Sequence, residues 1–195
     1  MIPASPIRAV RTKLRWAVNP GREMPAATIR INPHDGLSIL QHGTSRVDGW
    51  IVVPSVSPGV YGVTVGDLPA GIYVRSVRGG GTDITQTGLN LLTGISTDLE
   101  IELAEDGGKV VDQQFDAARQ PIVGGRVSLV RATPHRAEQE LWGRHASANQ
   151  QGQFDHDDLA PGEYTVSAYA NGRSSPSQTI RVLAKGVTRL QLVIP

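Results

Sequence analysis

The sequence predicts an all-β chain of two tandem antiparallel Greek-key β-sandwiches, and three observations carry that reading. Short runs of alternating apolar and polar residues recur from end to end. Turn residues separate them. One motif repeats at a spacing of about one sandwich domain. With 195 residues the chain is long for one small sandwich and sufficient for two. Hydrophobic residues make up 39%, and the 22 Gly and 13 Pro are spread between the apolar runs, as in folds with many turns.

The first run, Lys13-Leu14-Arg15-Trp16-Ala17-Val18, puts Leu14, Trp16 and Val18 on one face and the two basic residues on the other. Thr28-Ile29-Arg30-Ile31 alternates in the same way. Val60 to Val65 and Ile72 to Val77 each follow a turn containing Pro and Gly. Leu99-Glu100-Ile101-Glu102-Leu103 reads as a half-buried strand with its acids toward water. Further runs are Arg126 to Val130, Tyr164 to Tyr169, Thr179 to Val182 and Leu190 to Val193. Thr133 to Leu141 has a helix start, with Thr133 as N-cap and Pro134 first in the helix, but no sustained apolar face. It is read as a loop or a single turn.

The repeat fixes the organisation. Gly49-Trp50-Ile51 leads to Pro58-Gly59-Val60-Tyr61, and Gly152-Gln153-Phe154 leads to Pro161-Gly162-Glu163-Tyr164. Gly49 to Gly59 and Gly152 to Gly162 each span ten residues, and Gly49 to Gly152 spans 103. Two copies of one plan follow, at residues 1–104 and 105–195. Pro presets φ and ends a ladder, and Gly accepts a turn geometry that other residues resist. Tyr61 and Tyr164 are expected to place their rings at the core edge and their hydroxyls on a backbone acceptor, like a tyrosine corner. Pro58, Gly59, Tyr61, Pro161, Gly162 and Tyr164 are thus structural residues.

The second copy resembles the carboxypeptidase regulatory-like domain, a transthyretin-like (prealbumin-like) sandwich related to the Cna-B-like domains of bacterial secreted and surface proteins. Four stretches carry the resemblance: Gly108 to Asp112, Gln120-Pro121-Ile122-Val123-Gly124-Gly125 into Arg126 to Leu129, Asn149 to Phe154, and Leu159-Ala160-Pro161-Gly162-Glu163-Tyr164. It covers about residues 105–195. The first copy matches through Gly49 to Tyr61 and Leu68 to Val77 only. The resemblance implies a sandwich with a structural or binding role at a cell surface. Related adhesin sandwiches form a Lys–Asn cross-link promoted by an acid on the strand after Pro-Gly-x-Tyr. Lys109 lies near the usual lysine position, but neither Thr165 to Tyr169 nor Gly62 to Val65 carries an acid, so no cross-link is expected.

Composition excludes several chemistries. There is no Cys, hence no disulfide, thiolate metal site or cysteine nucleophile, and the net charge of +1 gives no global field for nucleic acid. The basic N-terminal stretch from Arg8 to Arg15 reads as a solvated edge. No apolar run approaches the roughly 20 residues of a membrane span. Met1 to Arg8 has no apolar signal core, so an extracellular or envelope location requires an export signal that is removed or lies outside this chain.

In Phe154-Asp155-His156-Asp157-Asp158, alternation turns Phe154 and His156 inward and Asp155 and Asp157 outward, which splits a would-be metal site, with Asp158 as a turn acid. His34, His42, His135 and His145 are scattered, and no Gly-x-Ser-x-Gly elbow is present. Gly79-Gly80-Gly81-Thr82-Asp83 lacks the Lys and helix of a phosphate loop. No catalysis, cofactor or metal is expected. Trp16 and Trp50 are read as core. Trp142, among polar residues beside Gly143, is the candidate exposed aromatic for a sugar contact.

The functional expectation is a non-catalytic structural or interaction module, a subunit of an extracellular or envelope fibre. Pro-interrupted residues 1–12 would form an arm carrying Ile2, Ile7 and Val10 to a neighbouring subunit's sheet edge. The partner is then a second copy or another envelope protein. The alternatives are a carbohydrate-binding module, with polysaccharide as partner, and accessory domains of a larger secreted enzyme.

Overall fold

A computed structural model describes residues 8–35, 41–44, 50–92 and 98–195. Ile2 and Ile7 lie outside the described residues. The chain separates into two compact units, one of residues 1–104 with 135–141, the other of residues 105–134 with 142–195. Both are β-sandwiches.

The first unit is built from β1 (Arg8–Trp16), β2 (Thr28–Pro33), β3 (Gln41–Thr44), β4 (Trp50–Val56), β5 (Val60–Gly66), β6 (Tyr73–Gly79), β7 (Thr82–Asp83), β8 (Leu89–Asn90) and β9 (Asp98–Ala104). One sheet has the order β4-β1-β9-β6-β7, the other β3-β2-β5-β8. In the second unit β10 (Gly108–Asp116), β11 (Arg126–Arg131), β12 (Arg144–Ser147), β13 (Gln153–Leu159), β14 (Gly162–Ala170), β15 (Arg173–Ser174), β16 (Gln178–Val182) and β17 (Val187–Ile194) form sheets β13-β10-β17 and β12-β11-β14-β15, with β16 also on β14.

The pairing plan is the same in both. The first strand sits between the fourth, antiparallel to it, and the last, parallel to it. The second sits between the third and the fifth. Apart from the first-with-last pairs, all the pairings are antiparallel. The units diverge after the fifth strand, where β6 joins β9 but β16 stays on β14. Local turns explain this. Asn171 and Gly172 both have positive φ, 52° and 77°, the signature of a two-residue hairpin that folds the chain straight back onto β14. In the first unit the chain leaves β5 through Asp67 and Gly71, also at positive φ, but Pro69 between them prevents a tight hairpin, and the chain crosses to the other sheet.

The core follows from alternation. Val10, Leu14 and Trp16 of β1 are buried beside Leu99, Ile101 and Leu103 of β9 and Ile29 and Ile31 of β2. The reading of Val10 as part of an arm that docks on a neighbouring subunit is therefore corrected: β1 begins at Arg8, and Val10 pairs with Val53 of its own unit at 0% exposure. Val18 lies beyond the end of β1 and is 69% exposed. Trp50 is also corrected. Ile51 and Val53 take the inner face of β4, so parity turns Trp50 outward, 37% exposed, with the Lys13 ammonium 5.5 Å from its ring. The segment read as a loop is a seven-residue helix, α1 (Arg136–Trp142). Its apolar residues Ala137, Leu141 and Trp142 are all buried, and Ala137 and Leu141, one turn apart, make a short apolar stripe that suffices for so short a helix.

Tyr61 and Tyr164 occupy corresponding places in β5 and β14. Tyr61 Oη donates to the Ser57 carbonyl at 2.7 Å and Tyr164 Oη to the Ala160 carbonyl at 2.9 Å, each four residues back across the Pro-Gly turn. The two glycines serve differently. A Cβ on Gly59 would lie 3.1 Å from the Tyr61 ring, whereas Gly162 holds φ at 144° and leaves room for the Arg131 guanidinium. Phenylalanine at either tyrosine strands a carbonyl acceptor and should cost about 1–2 kcal/mol. Urea unfolding of Tyr61→Phe and Tyr164→Phe measures this, and an unchanged midpoint would show that the corner contributes no stability.

Candidate functional site

One cluster of polar side chains in the second unit is built around the Pro161-Gly162 turn and the neighbouring strand β13. Arg131, the last residue of β11, donates to the Pro161 carbonyl at 2.9 Å. Its guanidinium lies 4.7 Å from the Trp142 ring and 5.3 Å from the Tyr164 ring. Trp142 is thereby covered, at 7% exposure, and the expected exposed sugar platform is corrected: a stacked arginine occupies the face a sugar would need. Burial pushes the Tyr164 phenol up, partly offset by the Arg131 and Arg144 charges.

β13 runs through Asp158, so alternation places Asp158 on the same inner side as His156 and Phe154 instead of in a turn. His156 Nδ1 is 3.5 Å from Asp158, Arg144 is 3.8 Å from the same carboxylate, and Phe154 meets the His156 ring edge-on at 5.2 Å. Burial opposes ionisation of Asp158, yet the His156 hydrogen bond and the Arg144 charge outweigh it and hold the carboxyl below its ordinary range. Asp155 points outward and pairs with Lys109 Nζ at 2.8 Å, a bond that lowers the aspartate pKa and raises that of the lysine. Among the described residues no three His, Cys, Asp or Glu side chains converge on a metal position. These groups neutralise and orient one another.

A second polar feature gave no signal in the sequence reading. The inner face of β10 carries Val110, Asp112 and Gln114, all at or below 1% exposure. Among the described residues neither Asp112 oxygen has a well-formed hydrogen bond, and Gln114 Oε1 has none. Burial raises the Asp112 pKa to about 6, with the Gln113 and Leu192 amides only partly opposing it. The first unit repeats the position. Thr12 pairs with Ile51 and Leu99, as Asp112 pairs with Phe154 and Leu190, and Thr12 Oγ1 is likewise buried without a partner. In sequence terms Val110-x-Asp112-x-Gln114 alternates with one apolar and two polar members, a pattern that does not mark a buried face. Lys109 lies on the face opposite Asp112, pairing outward, away from the core where a cross-link would form.

No protein-family model matches the sequence, and no curated protein matches it. Among solved structures the chain is similar to a streptococcal ancillary pilin, at 11% identity over 96% of this chain and 69% of that one, with a TM-score of 0.38. It is similar to GBS52, the minor pilin of Streptococcus agalactiae, at 10% identity over 94% of each chain and a TM-score of 0.37. The shaft pilin SpaA of Lactobacillus rhamnosus GG is similar at 10% identity over 97% of this chain and 98% of that one, with a TM-score of 0.34. At such values the likeness carries no functional conclusion. Among the described residues no helix is long and apolar enough to cross a membrane.

Asp112 makes stability depend on pH. Its folded pKa of about 6 lies above the ordinary 3.8, so folding takes up a proton between those values. Its contribution is fully present below pH 3.8 and is lost as pH rises through about 6. Asp112→Asn should therefore stabilise the second unit by about 2–3 kcal/mol at pH 8 and by little at pH 4. Urea midpoints at the two pH values check this, and an equal effect at both would rule out the buried charge as the cause.

Proposed function

We propose that the chain is a non-catalytic structural module that carries tension within an extracellular or cell-envelope assembly, a use consistent with its resemblance to carboxypeptidase regulatory-like sandwiches. The observation behind this is the parallel pairing of first and last strands. In the first unit Arg11 to Trp16 run beside Asp98 to Leu103, and in the second Lys109 to Asp116 run beside Val187 to Ile194. Because the two strands run the same way, the chain enters each unit at one end of the shared ladder and leaves at the other. Tension on the chain then slides one strand along its neighbour, and the ladder's hydrogen bonds resist together. An antiparallel terminal pair would open one bond at a time.

Side chains supplement the first ladder. Arg11 binds Asp98 through two hydrogen bonds, at 2.8 and 2.6 Å, and Arg15 lies 3.8 Å from both Glu100 and Glu102. These pairs are exposed and contribute little at equilibrium, but they span the two strands that tension would shear. The partner in such an assembly is a second copy or another envelope protein. The finer form of the reading, an arm docking on a neighbour, now rests on Ile2 and Ile7, since Val10 belongs to the core.

Single-molecule pulling tests the reading, and the lack of native cysteine makes engineered thiol handles unambiguous. Handles at Gly107→Cys and Pro195→Cys load the β10–β17 ladder in shear. Handles at Ala117→Cys and Pro195→Cys sit at one end of the same ladder, where Asp116 pairs with Ile194, and peel it. The shear geometry should need several-fold more force. Equal forces would overturn the proposal.

A further inference from the structure

The outer face of the sheet β12-β11-β14-β15 carries a hollow of about 480 Å³. Cross-strand pairing arranges its side chains in two rows. One row runs Ser147, Arg126, Tyr169 and Ser174, because Arg126 pairs with Ser147 and Tyr169, and Tyr169 with Ser174. The next runs His145, Ser128 and Ser167, because Ser128 pairs with both of the others. Strands are about 4.8 Å apart and same-face residues about 7 Å apart along a strand. The result is a flat grid of polar groups spaced on the scale of a sugar ring.

Three properties set this face apart. No residue lining it is acidic. Among the described residues none of its seven polar side chains has a hydrogen-bond or ion-pair partner, and no acid faces the Arg126 charge. The Tyr169 ring is 52% exposed. The outer face of the first unit's β1–β9 pair is different, because there Arg11 and Arg15 face Asp98, Glu100 and Glu102. Two further hollows, each of about 440 Å³, include Asp112 or Asp116 in their linings, and in the latter Arg173 is already bonded to the Pro195 carbonyl.

We propose that this face binds an acidic polysaccharide through its uronate units. Serine hydroxyls match sugar hydroxyls as both donors and acceptors and lose little entropy when fixed. An exposed tyrosine offers a stacking surface with few rotatable bonds. Arg126 presents a fork suited to a carboxylate. One full charge among five hydroxyls is too sparse for nucleic acid, which demands many phosphate contacts. It suits a ligand with one carboxylate per sugar. The site is independent of the tension-carrying role, since its residues lie on the sheet that does not contain β10 and β17.

Calorimetric titration of the full chain with trigalacturonic acid tests this. Saturable binding is expected, with the neutral trisaccharide maltotriose binding at least about tenfold more weakly, the worth of a charge-assisted hydrogen bond. Arg126→Gln and Tyr169→Ala should each weaken binding about tenfold or more. Both residues are exposed, so melting midpoints should be unchanged and will confirm folding. Arg181→Gln, an exposed arginine on β16, should leave binding intact. Absence of saturable binding, equal affinity for maltotriose, or equal losses in Arg126→Gln and Arg181→Gln would each overturn the proposal. So would displacement of the trisaccharide by inorganic phosphate at equal concentration, which would reduce the face to a simple anion site.

Discussion

The first strand of each unit is hydrogen-bonded on both edges, and much of the rest of the structure depends on that. A strand so placed has no free edge. Its inner side chains lie at the centre of the sandwich, where a polar group meets no water. Val10, Leu14, Trp16 and Val110 supply the apolar contacts expected there. Thr12 and Asp112 do not, and both sit at the same point of the pairing plan. Two units that differ in most other residues thus retain a polar group at one buried place. For Thr12 the cost is one unmatched hydroxyl. For Asp112 it is a desolvated carboxylate, only partly relieved by the Gln113 and Leu192 amides and otherwise by protonation near pH 6.

The tyrosine corners anchor the other side of each sandwich. A short Pro-Gly turn joins the fourth and fifth strands across the two sheets, and the corner bond fixes the angle at which the chain re-enters. In the second unit the corner has been elaborated. Arg131 spans the turn carbonyls and stacks on both Tyr164 and Trp142. Gly162 suits that place because its φ of 144° is one that other residues rarely adopt, and a Cβ there would also push the guanidinium aside. In the first unit Pro33 stands opposite Tyr61 where Arg131 stands opposite Tyr164, and the turn relies on the ring and its hydroxyl.

What was legible in the sequence was local and periodic. The alternation of Leu99 to Leu103, the two Pro-Gly-x-Tyr turns and the inward set of Phe154 and His156 could be read directly, because period-two patterning and turn chemistry are properties of a few neighbouring residues. What failed needed long-range information. Trp50 was misjudged because a continuous apolar run hides its parity until the partner strand is known. Trp142 was misjudged because its cover, Arg131, is eleven residues away in sequence. Val10 was misjudged because pairing with Val53, not local pattern, makes it core. The parallel ladders left no local trace, since strand direction is a matter of topology. The seven-membered polar face was equally hidden: Arg126, His145 and Tyr169 look scattered until register aligns them. One signal was present and unused. Asn171-Gly172 is the strongest short hairpin signature in the chain, and it decides where β16 goes.

The sandwich architecture allows the two proposed roles to coexist. Its two sheets pack through side chains without sharing backbone hydrogen bonds. The sheet β13-β10-β17 contains the chain's entrance to and exit from the second unit, so tension falls on it first. The face proposed for saccharide belongs to the other sheet and points away from the core, its side chains engaged, among the described residues, in no bond that shear of β10 against β17 would break. Its grid spacing is set by the ladders β11–β12 and β11–β14, which lie outside the direct path of the force. A ligand bound across β12, β11 and β14 would in turn tie three strands together without touching the stressed ladder. Adhesion and force transmission therefore make separate demands on separate sheets of one small domain.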